Sequence, residues 1–207
     1  MYSQNDEEKW ILEAVGNTPG NFLDIGAYDG KTFSNTYRLV ELGWSGICVE
    51  PAPTVFPALF NLHKSNEKVK CINAAVVPSG PSKLMAFFDS NGDALGTLSC
   101  DHVAKWSPYA KFSPCWVYPI SMVDLINQIP EDFDFVNIDV EGISTNLFES
   151  FVRNYKGNRL KCVCVEHDGH VSEVIETCSK IGLAHYYVTS ENVISWRIEG
   201  ENVIPWH

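Results

Sequence analysis

A glycine-spaced turn and a downstream acid form the first group of residues that could do chemistry. Residues 22–30 read Phe-Leu-Asp-Ile-Gly-Ala-Tyr-Asp-Gly, so an apolar run ends in a turn that holds Gly26 and Gly30. Glycines let a backbone pass close to a ligand, and a helix that begins near Lys31 would direct free N–H groups back at the turn. A second apolar run ends at Glu50. A carboxylate at that place in an α/β fold binds ribose hydroxyls, so the pattern predicts an adenosine-containing ligand.

The spacing of this turn favours a positively charged ligand over a dinucleotide. A dinucleotide fingerprint reads G-x-G-x-x-G, whereas this chain reads Asp24-x-Gly26-x-x-x-Gly30 and lacks the middle glycine. Asp24 and Asp29 place negative charge that repels a pyrophosphate and suits the ammonium and sulfonium groups of S-adenosylmethionine. A nicotinamide-dependent oxidoreductase is one alternative, and a plain structural turn in which Asp29 caps the helix is another.

A second group of acids lies late in the chain. Residues 137–142 read Asn-Ile-Asp-Val-Glu-Gly, and residues 165–168 read Val-Glu-His-Asp. Residues i and i+2 of an extended segment share a face, so Asp139 and Glu141 are expected to point the same way, with His167 beside them on the next strand. Such groups can take a proton from an acceptor hydroxyl during group transfer.

Two other interpretations of these acids stay open. Asp139, Glu141 and a side chain from 166–168 offer the oxygen ligands that Mg²⁺ prefers, but no spacing pattern demands a metal, so a catalytic base is favoured. Alternatively, Glu141 forms an ion pair with Lys161 or Arg153 and has no catalytic role. A non-catalytic cofactor-binding module is a further possibility, which the pair of acids disfavours.

Three segments of the chain together resemble a known family. Residues 24–36, 42–51 and 135–142 read DIGAYDGKTFSNT, LGWSGICVEP and FVNIDVEG. In this order they resemble the FkbM-type methyltransferases, a branch of the class I S-adenosylmethionine-dependent enzymes, and the resemblance spans roughly residues 20–170. The resemblance implies methyl transfer, commonly to a hydroxyl of a sugar, polyketide or other small metabolite.

The expected cofactor site follows from these segments. The turn after the first strand would hold the methionine part and Glu50 the ribose, while family analogy places Asn73 at the adenine edge, unless Asn73 only satisfies its own loop backbone. The residues assigned to cofactor binding are Asp24, Gly26, Ala27, Tyr28, Asp29, Gly30, Asn35, Glu50, Pro51, Asn73, Ala74 and Asp139. Catalysis is assigned to Asp139, Glu141 and His167, and no residue is assigned to a metal.

Helices and strands must alternate to position these residues, and the sequence has that alternation. Predicted helices cover 6–15, 31–42, 51–64, 121–129, 146–155 and 171–181. Predicted strands begin at 22 and cover 44–50, 69–77, 133–140, 160–166, 185–189 and 193–198, of which 69–77 is expected to be buried on both faces. The expected fold is α/β: a doubly wound, mostly parallel seven-stranded sheet of the Rossmann-like class I methyltransferase type, with an antiparallel final strand.

Residues 1–207 are expected to form a single methyltransferase domain with a hairpin or lid insert at about 80–119. The insert is rich in aromatic residues and also carries His102. Two roles are open for it. It could close over the acceptor as a lid, or its aromatic side chains could pack on the sheet edge.

Composition restricts the partners of this chain. The net charge of −11 argues against nucleic acid, because binding a phosphate backbone needs a positive surface. No apolar run reaches membrane-spanning length, and the first residues lack the features of a secretory signal. The seven cysteines are then expected to be reduced thiols in a cytoplasmic protein. The expected partner is a small hydroxylated acceptor, and no membrane or nucleic acid.

Overall fold

The structure is a computed structural model that describes residues 1–80, 83–129 and 132–198. The helices in these ranges are α1 (Glu7–Val15), α2 (Tyr37–Glu41), α3 (Phe56–His63), α4 (Cys100–Trp106), α5 (Met122–Gln128), α6 (Ser144–Asn154) and α7 (Val171–Lys180). The strands are β1 (Asn21–Ile25), β2 (Ser45–Val49), β3 (Val69–Ile72), β4 (Ala75–Val77), β5 (Met85–Asp89), β6 (Ser113–Val117), β7 (Pro119–Ser121), β8 (Phe135–Ile138), β9 (Cys162–Glu166), β10 (His185–Val188) and β11 (Asn192–Trp196). None of these helices is both long and apolar enough to cross a membrane.

Seven strands form the main sheet in the order β10-β11-β9-β8-β1-β2-β3. Five of them, β1, β2, β3, β8 and β9, are parallel, while β11 is antiparallel to both of its neighbours, β9 and β10. Parallel neighbours need long crossover connections, which the helices provide. The α/β class and the mostly parallel seven-stranded sheet with an antiparallel final strand, which the sequence predicts, are confirmed.

Helices cover both faces of this sheet. On β1, Leu23 and Ile25 belong to a core cluster that includes α5, α6 and α7, whereas Phe22 belongs to a second cluster with α1, α2 and α3. Successive residues of a strand point to opposite faces, so a strand covered on both sides must be apolar at almost every position. This requirement explains why the central strands are recognisable in the sequence as short apolar runs.

One row of side chains crosses the sheet near the carboxyl ends of its strands. Asp24 of β1 stands in register with Asn137 of β8 on one side and with Cys48 of β2 on the other. Asn137 in turn stands in register with Cys164 of β9. Partners in register on parallel strands point to the same face, so Asp24 and Asn137 form a polar pair within a row of thiols.

The chain after β1 does not enter a helix at Lys31, as the sequence predicted. Asp29 accepts hydrogen bonds from the backbone N–H groups of Lys31 and Thr32 and so forms a local turn. Phe33 then has a φ of 57°, a left-handed conformation that an α-helix cannot contain. The helix therefore begins only at Tyr37, and the predicted helix 31–42 is wrong over its first part.

The predicted strand 69–77 is two strands in the structure. β3 lies at the edge of the main sheet, where only Val69 is buried, so the expectation of burial on both faces is wrong for β3, whereas all three residues of β4 are buried. β4 leaves the main sheet and pairs with β7 instead. Asn73 lies between the two strands, and its side chain donates to backbone carbonyls at the end of β2, which interrupts the run.

The insert between β4 and β7 forms a small layer beside the sheet. β5 and β6 pair as antiparallel strands, and α4 lies in the connection between them. Residues 81–82, which the expected insert 80–119 contains, lie outside the described part of the chain. Phe87 of β5 and Val117 of β6 pack in one cluster with Ala52 and Val55, which attaches the insert to the segment after β2. The helix α4 was not predicted, because a short helix with one buried residue, His102, has little apolar periodicity.

Candidate active site

An open cavity lies at the carboxyl ends of β1, β2 and β8. This is the place where open parallel sheets bind ligands. The described residues that line it include no lysine or arginine and five carboxyl side chains: Asp24, Glu50, Asp93, Asp139 and Glu141. The cavity therefore favours a ligand with positive charge.

Asp24 is held in the cavity wall by two neutral donors. Its carboxylate accepts a hydrogen bond from the Thr36 hydroxyl at 2.5 Å and one from the Asn137 amide at 2.8 Å. The Asn35 amide donates to Asn137 at 3.0 Å, and Asn35 Oδ1 is buried without a hydrogen-bond partner among the described residues. Burial raises the pKa of Asp24, and its two hydrogen bonds oppose that rise. The network thus ends in oxygen acceptors, which a cationic group can satisfy.

Gly26 is required by the backbone around it. It has a φ of 86°, and a Cβ at this position would overlap the backbone carbonyl oxygen of Asp139. That segment is fixed because the Asp139 N–H donates to the Ile25 carbonyl at 2.9 Å. The sequence predicted that this glycine makes room for a cofactor, whereas in the structure it first makes room for the chain that leaves β8. A bulky substitution at Gly26 would therefore disturb the fold and would not test cofactor binding alone.

Glu50 follows β2, and both of its carboxylate oxygens are bonded to the backbone. Oε2 accepts from the Tyr28 N–H at 3.0 Å and Oε1 from the Ala52 N–H at 2.8 Å, which ties the turn after β1 to the end of β2. A carboxylate has about four acceptor sites, so about two are left for ribose hydroxyls. Burial raises the pKa of Glu50 to about 7. At neutral pH the side chain is therefore less ionised than an ordinary carboxylate.

The other residues predicted to bind a cofactor divide into two groups. Those that line the cavity are Ala27, Tyr28, Asn35, Pro51 and Ala74. Asp29, Gly30 and Asn73 are not among the lining residues. Asp29 caps the local turn and Gly30 faces the side chains of α3, which are structural roles. Asn73 donates to the loop backbone, as one of its two predicted interpretations required.

Three carboxyl groups meet at the carboxyl ends of β8 and β9. One oxygen of each of Asp139, Glu141 and Glu166 lies within 4.8 Å of the others, and we call these residues the carboxyl cluster. Glu166 Oε2 accepts from the Glu141 N–H at 2.9 Å and from the Ser144 hydroxyl at 2.7 Å. The expected neighbours Asp139 and Glu141 are thus close together, but not on an extended segment, because Glu141 has a φ of 57°.

Burial raises the pKa of each member of the carboxyl cluster. For Asp139 and Glu141 the next cause is the charge of Glu166, and for Glu166 it is the charge of Asp168. The pKa of Glu141 rises to about 10. Lys161, which the sequence offered as an ion-pair partner of Glu141, lies 3.9 Å from Asp134 instead. Repulsion within the cluster therefore favours either bound protons or a bound cation.

The imidazole beside the cluster belongs to His102 of the insert. His102 Nε2 lies 3.4 Å from Glu141 Oε2, yet it makes no hydrogen bond to any described residue. The Thr97 hydroxyl donates to the Glu141 carbonyl at 2.6 Å, so the insert contacts this segment at two points. His167 is not brought to the cavity, and its Nδ1 accepts from the Gly169 N–H at 3.0 Å. The prediction that His167 accompanies Asp139 and Glu141 in catalysis stays a prediction.

Sequence reasoning missed two residues that orient Asp24. Asn137 had a detectable signal, because it is the one polar residue within the apolar strand β8. Thr36 had none, since its hydroxyl reaches Asp24 only through the irregular segment before α2. His102 was noted in the insert but was not assigned to the acids.

The sheet, the acid after β2 and the acidic cavity define the Rossmann-like class of S-adenosylmethionine-dependent methyltransferases. The methyltransferase FkbM domain matches residues 24–164, most of the chain, and this chain belongs to that family. The resemblance seen in the sequence is thereby confirmed. Of the cofactors that the sequence left open, the family uses S-adenosylmethionine rather than a nicotinamide dinucleotide.

Solved structures share the fold at low sequence identity. A precorrin-6y C5,15-methyltransferase from Geobacter metallireducens GS-15 is 12% identical with a TM-score of 0.50, and the match covers 92% of this chain and 87% of that one. Monomeric WbdD is 11% identical with a TM-score of 0.50, and the match covers 94% of this chain and 41% of that one. These likenesses concern the fold alone. A search of curated proteins by sequence finds no match.

Proposed function

We propose that this chain transfers a methyl group from S-adenosylmethionine to a hydroxyl oxygen of a small acceptor, such as a sugar or another hydroxylated metabolite. The observation that carries the proposal is that Asp139 and Glu141 line the same cavity as Glu50 and Asp24. A neutral hydroxyl is a weak nucleophile, and a positioned group that takes its proton makes it a stronger one.

The residues around β1 and β2 fit the cofactor. Glu50 has acceptor sites left for two ribose hydroxyls, while Asp24 and the partnerless Asn35 Oδ1 suit an ammonium group. When bound, S-adenosylmethionine supplies a methyl carbon whose bond to sulfur breaks as a bond to the acceptor oxygen forms. The cavity residues themselves hold the ligand, and their negative charge stabilises its positive charge.

The carboxyl cluster would accept the proton that the acceptor hydroxyl loses. Asp139 and Glu141 would orient the acceptor hydroxyl and receive its proton, since both line the cavity. The positive charge of the bound cofactor would favour the ionised form of these acids, in which their raised pKa makes them stronger bases than ordinary carboxylates. Glu166 acts as a positioning residue, because it accepts the Glu141 N–H and so fixes the bend that carries the Glu141 side chain.

A small acceptor also fits the charge of the molecule. The net charge of −11 and the acidic cavity repel a nucleic-acid backbone. All seven cysteines are free thiols, as a cytoplasmic location requires, and that location is part of the proposal.

Conservative substitution of the two cavity acids tests this proposal. We expect Asp139→Asn and Glu141→Gln to lower turnover by about a hundredfold or more, the usual contribution of a positioned base, while the affinity for S-adenosylhomocysteine changes only a few-fold. Asp101→Asn is the control, because Asp101 is an exposed acid beside His102 on α4. Turnover is measured as release of S-adenosylhomocysteine with a panel of sugars and other alcohols.

Two results would contradict the proposal. Full turnover in both acid variants would remove the carboxyl cluster from the chemistry. Mass spectrometry identifies the methylated atom, and methyl transfer to amine or carbon acceptors, with the matching alcohols inert, would exclude a hydroxyl acceptor.

A further inference from the structure

The carboxyl cluster and His102, whose Nε2 has no hydrogen-bond partner among the described residues, bring oxygen and nitrogen ligand atoms together at one place. The carboxyl cluster comprises three acids within 4.8 Å of one another, and the free nitrogen of His102 points at one of them, Glu141, from 3.4 Å. We propose that Asp139, Glu141, Glu166 and His102 bind one divalent cation of the Mg²⁺ or Mn²⁺ class.

The spacing of the cluster oxygens agrees with one shared cation. Two atoms that bind the same ion cannot lie further apart than twice the bond length, which is about 4.2 Å for Mg²⁺ and about 4.8 Å for Ca²⁺. The cluster oxygens lie within 4.8 Å of one another. Binding of a smaller cation therefore requires the side chains to move closer together.

His102 provides an observation independent of the acids. Its side chain is 4% exposed, and Nε2 has no hydrogen-bond partner among the described residues. A buried polar atom is normally paired, because an unpaired one loses its bonds to water without compensation. A neutral imidazole with a free ring nitrogen is the form in which histidine binds metals.

The backbone position of His102 is fixed by the contacts of α4. Ser99 caps α4 by accepting the His102 N–H, and Gly142 leaves room for both residues, since a Cβ at Gly142 would lie 3.1 Å from Ser99 and 3.4 Å from His102. The acids come from the ends of β8 and β9, whereas His102 comes from the insert. A cation at this place would therefore link the insert to the main sheet.

Charge gives a third argument. The described residues that line the cavity include no lysine or arginine, so the carboxyl cluster has no fixed positive partner there. The inference rests on the proposed function in placing the cation at the acceptor end of the cavity, but cation binding is measurable without any turnover.

Titration of the full chain with Mn²⁺ tests the site. After treatment with EDTA and dialysis, we expect electron paramagnetic resonance to show one saturable Mn²⁺ per chain, which Mg²⁺ displaces. Glu166→Gln and His102→Gln should each weaken Mn²⁺ binding by about tenfold or more, since even residues that only orient metal ligands contribute that much. Glu166→Gln is the milder change, because its amide oxygen can still accept from the Glu141 N–H and Ser144.

A matched control comes from the exposed pair His170 and Glu173, which lie 2.9 Å apart on the surface. His170→Gln should leave Mn²⁺ binding unchanged. The proposal is overturned if the wild type shows no saturable binding, if both site variants bind like the wild type, or if His170→Gln loses binding equally. Circular dichroism verifies folding, and if His102→Gln does not fold, Glu166→Gln decides alone. A wild type that methylates hydroxyls but shows no saturable Mn²⁺ binding would reject this inference and leave the proposed function standing.

Discussion

At the scale of single residues, Glu50 joins structure and binding in one side chain. Its two oxygens hold the turn after β1 and the loop after β2 in place through the Tyr28 and Ala52 N–H groups. The same oxygens face the cavity with acceptor sites to spare. Burial raises its pKa to about 7, so the charge that ribose hydroxyls prefer is only partly present at neutral pH.

We expect the affinity for S-adenosylhomocysteine to depend on pH through Glu50. Hydroxyl donors favour the carboxylate, and the carboxyl group is mostly protonated below about pH 7. Binding should therefore be about tenfold weaker at pH 6 than at pH 8, as isothermal titration calorimetry can measure. Glu50→Ala should weaken binding by about 1 to 3 kcal/mol and remove most of the pH dependence. The exposed acid Glu67 offers the control Glu67→Gln, and an unchanged profile in Glu50→Ala would remove Glu50 from the site.

At the scale of elements, the sequence predicts the strands that are buried on both faces. It does not predict the element boundaries that depend on the conformation or hydrogen bonds of single residues. β1, β8 and β9 were predicted because two covered faces demand apolar runs. The late start of α2 depends on the cap by Asp29 and the left-handed Phe33, which no periodicity reveals. The pairing of Glu141 with His102 depends on how the insert folds back on the sheet, so proximity in sequence pointed to His167 instead.

A substitution at Gly26 measures how much stability depends on the close approach of the turn after β1 to the segment after β8. Gly26→Ala forces a Cβ into the Asp139 carbonyl and strains a φ of 86°, so we expect a loss of about 2 to 4 kcal/mol in the free energy of unfolding. Gly92→Ala is the matched control, because Gly92 has a φ of 97° but nothing within 4 Å of the added Cβ. It should cost only about 1 to 2 kcal/mol. Urea unfolding gives both values, and equal losses would show that φ alone matters.

At the scale of the whole molecule, the binding cavity concentrates negative charge that the fold does not neutralise. The chain has a net charge of −11, and five acids line the cavity. Holding such charge in place costs stability, which the protein recovers only through protons or positively charged ligands. A cavity that binds a sulfonium cofactor is therefore expected to be less stable when it is empty and ionised.

The destabilisation by these ionised acids is measurable as a change in stability with pH. The pKa of Glu141 is raised to about 10 in the folded protein from an ordinary value near 4.5, so the folded state keeps a proton that the unfolded state has lost. Stability from this group is full below about pH 4.5 and is lost as the pH rises towards 10. Glu141→Gln is always neutral, so we expect its thermal midpoint, measured with EDTA, to rise relative to wild type between pH 5 and about pH 9. Glu149→Gln, at an exposed position on α6, should run parallel to wild type, and a parallel curve for Glu141→Gln would contradict the raised pKa.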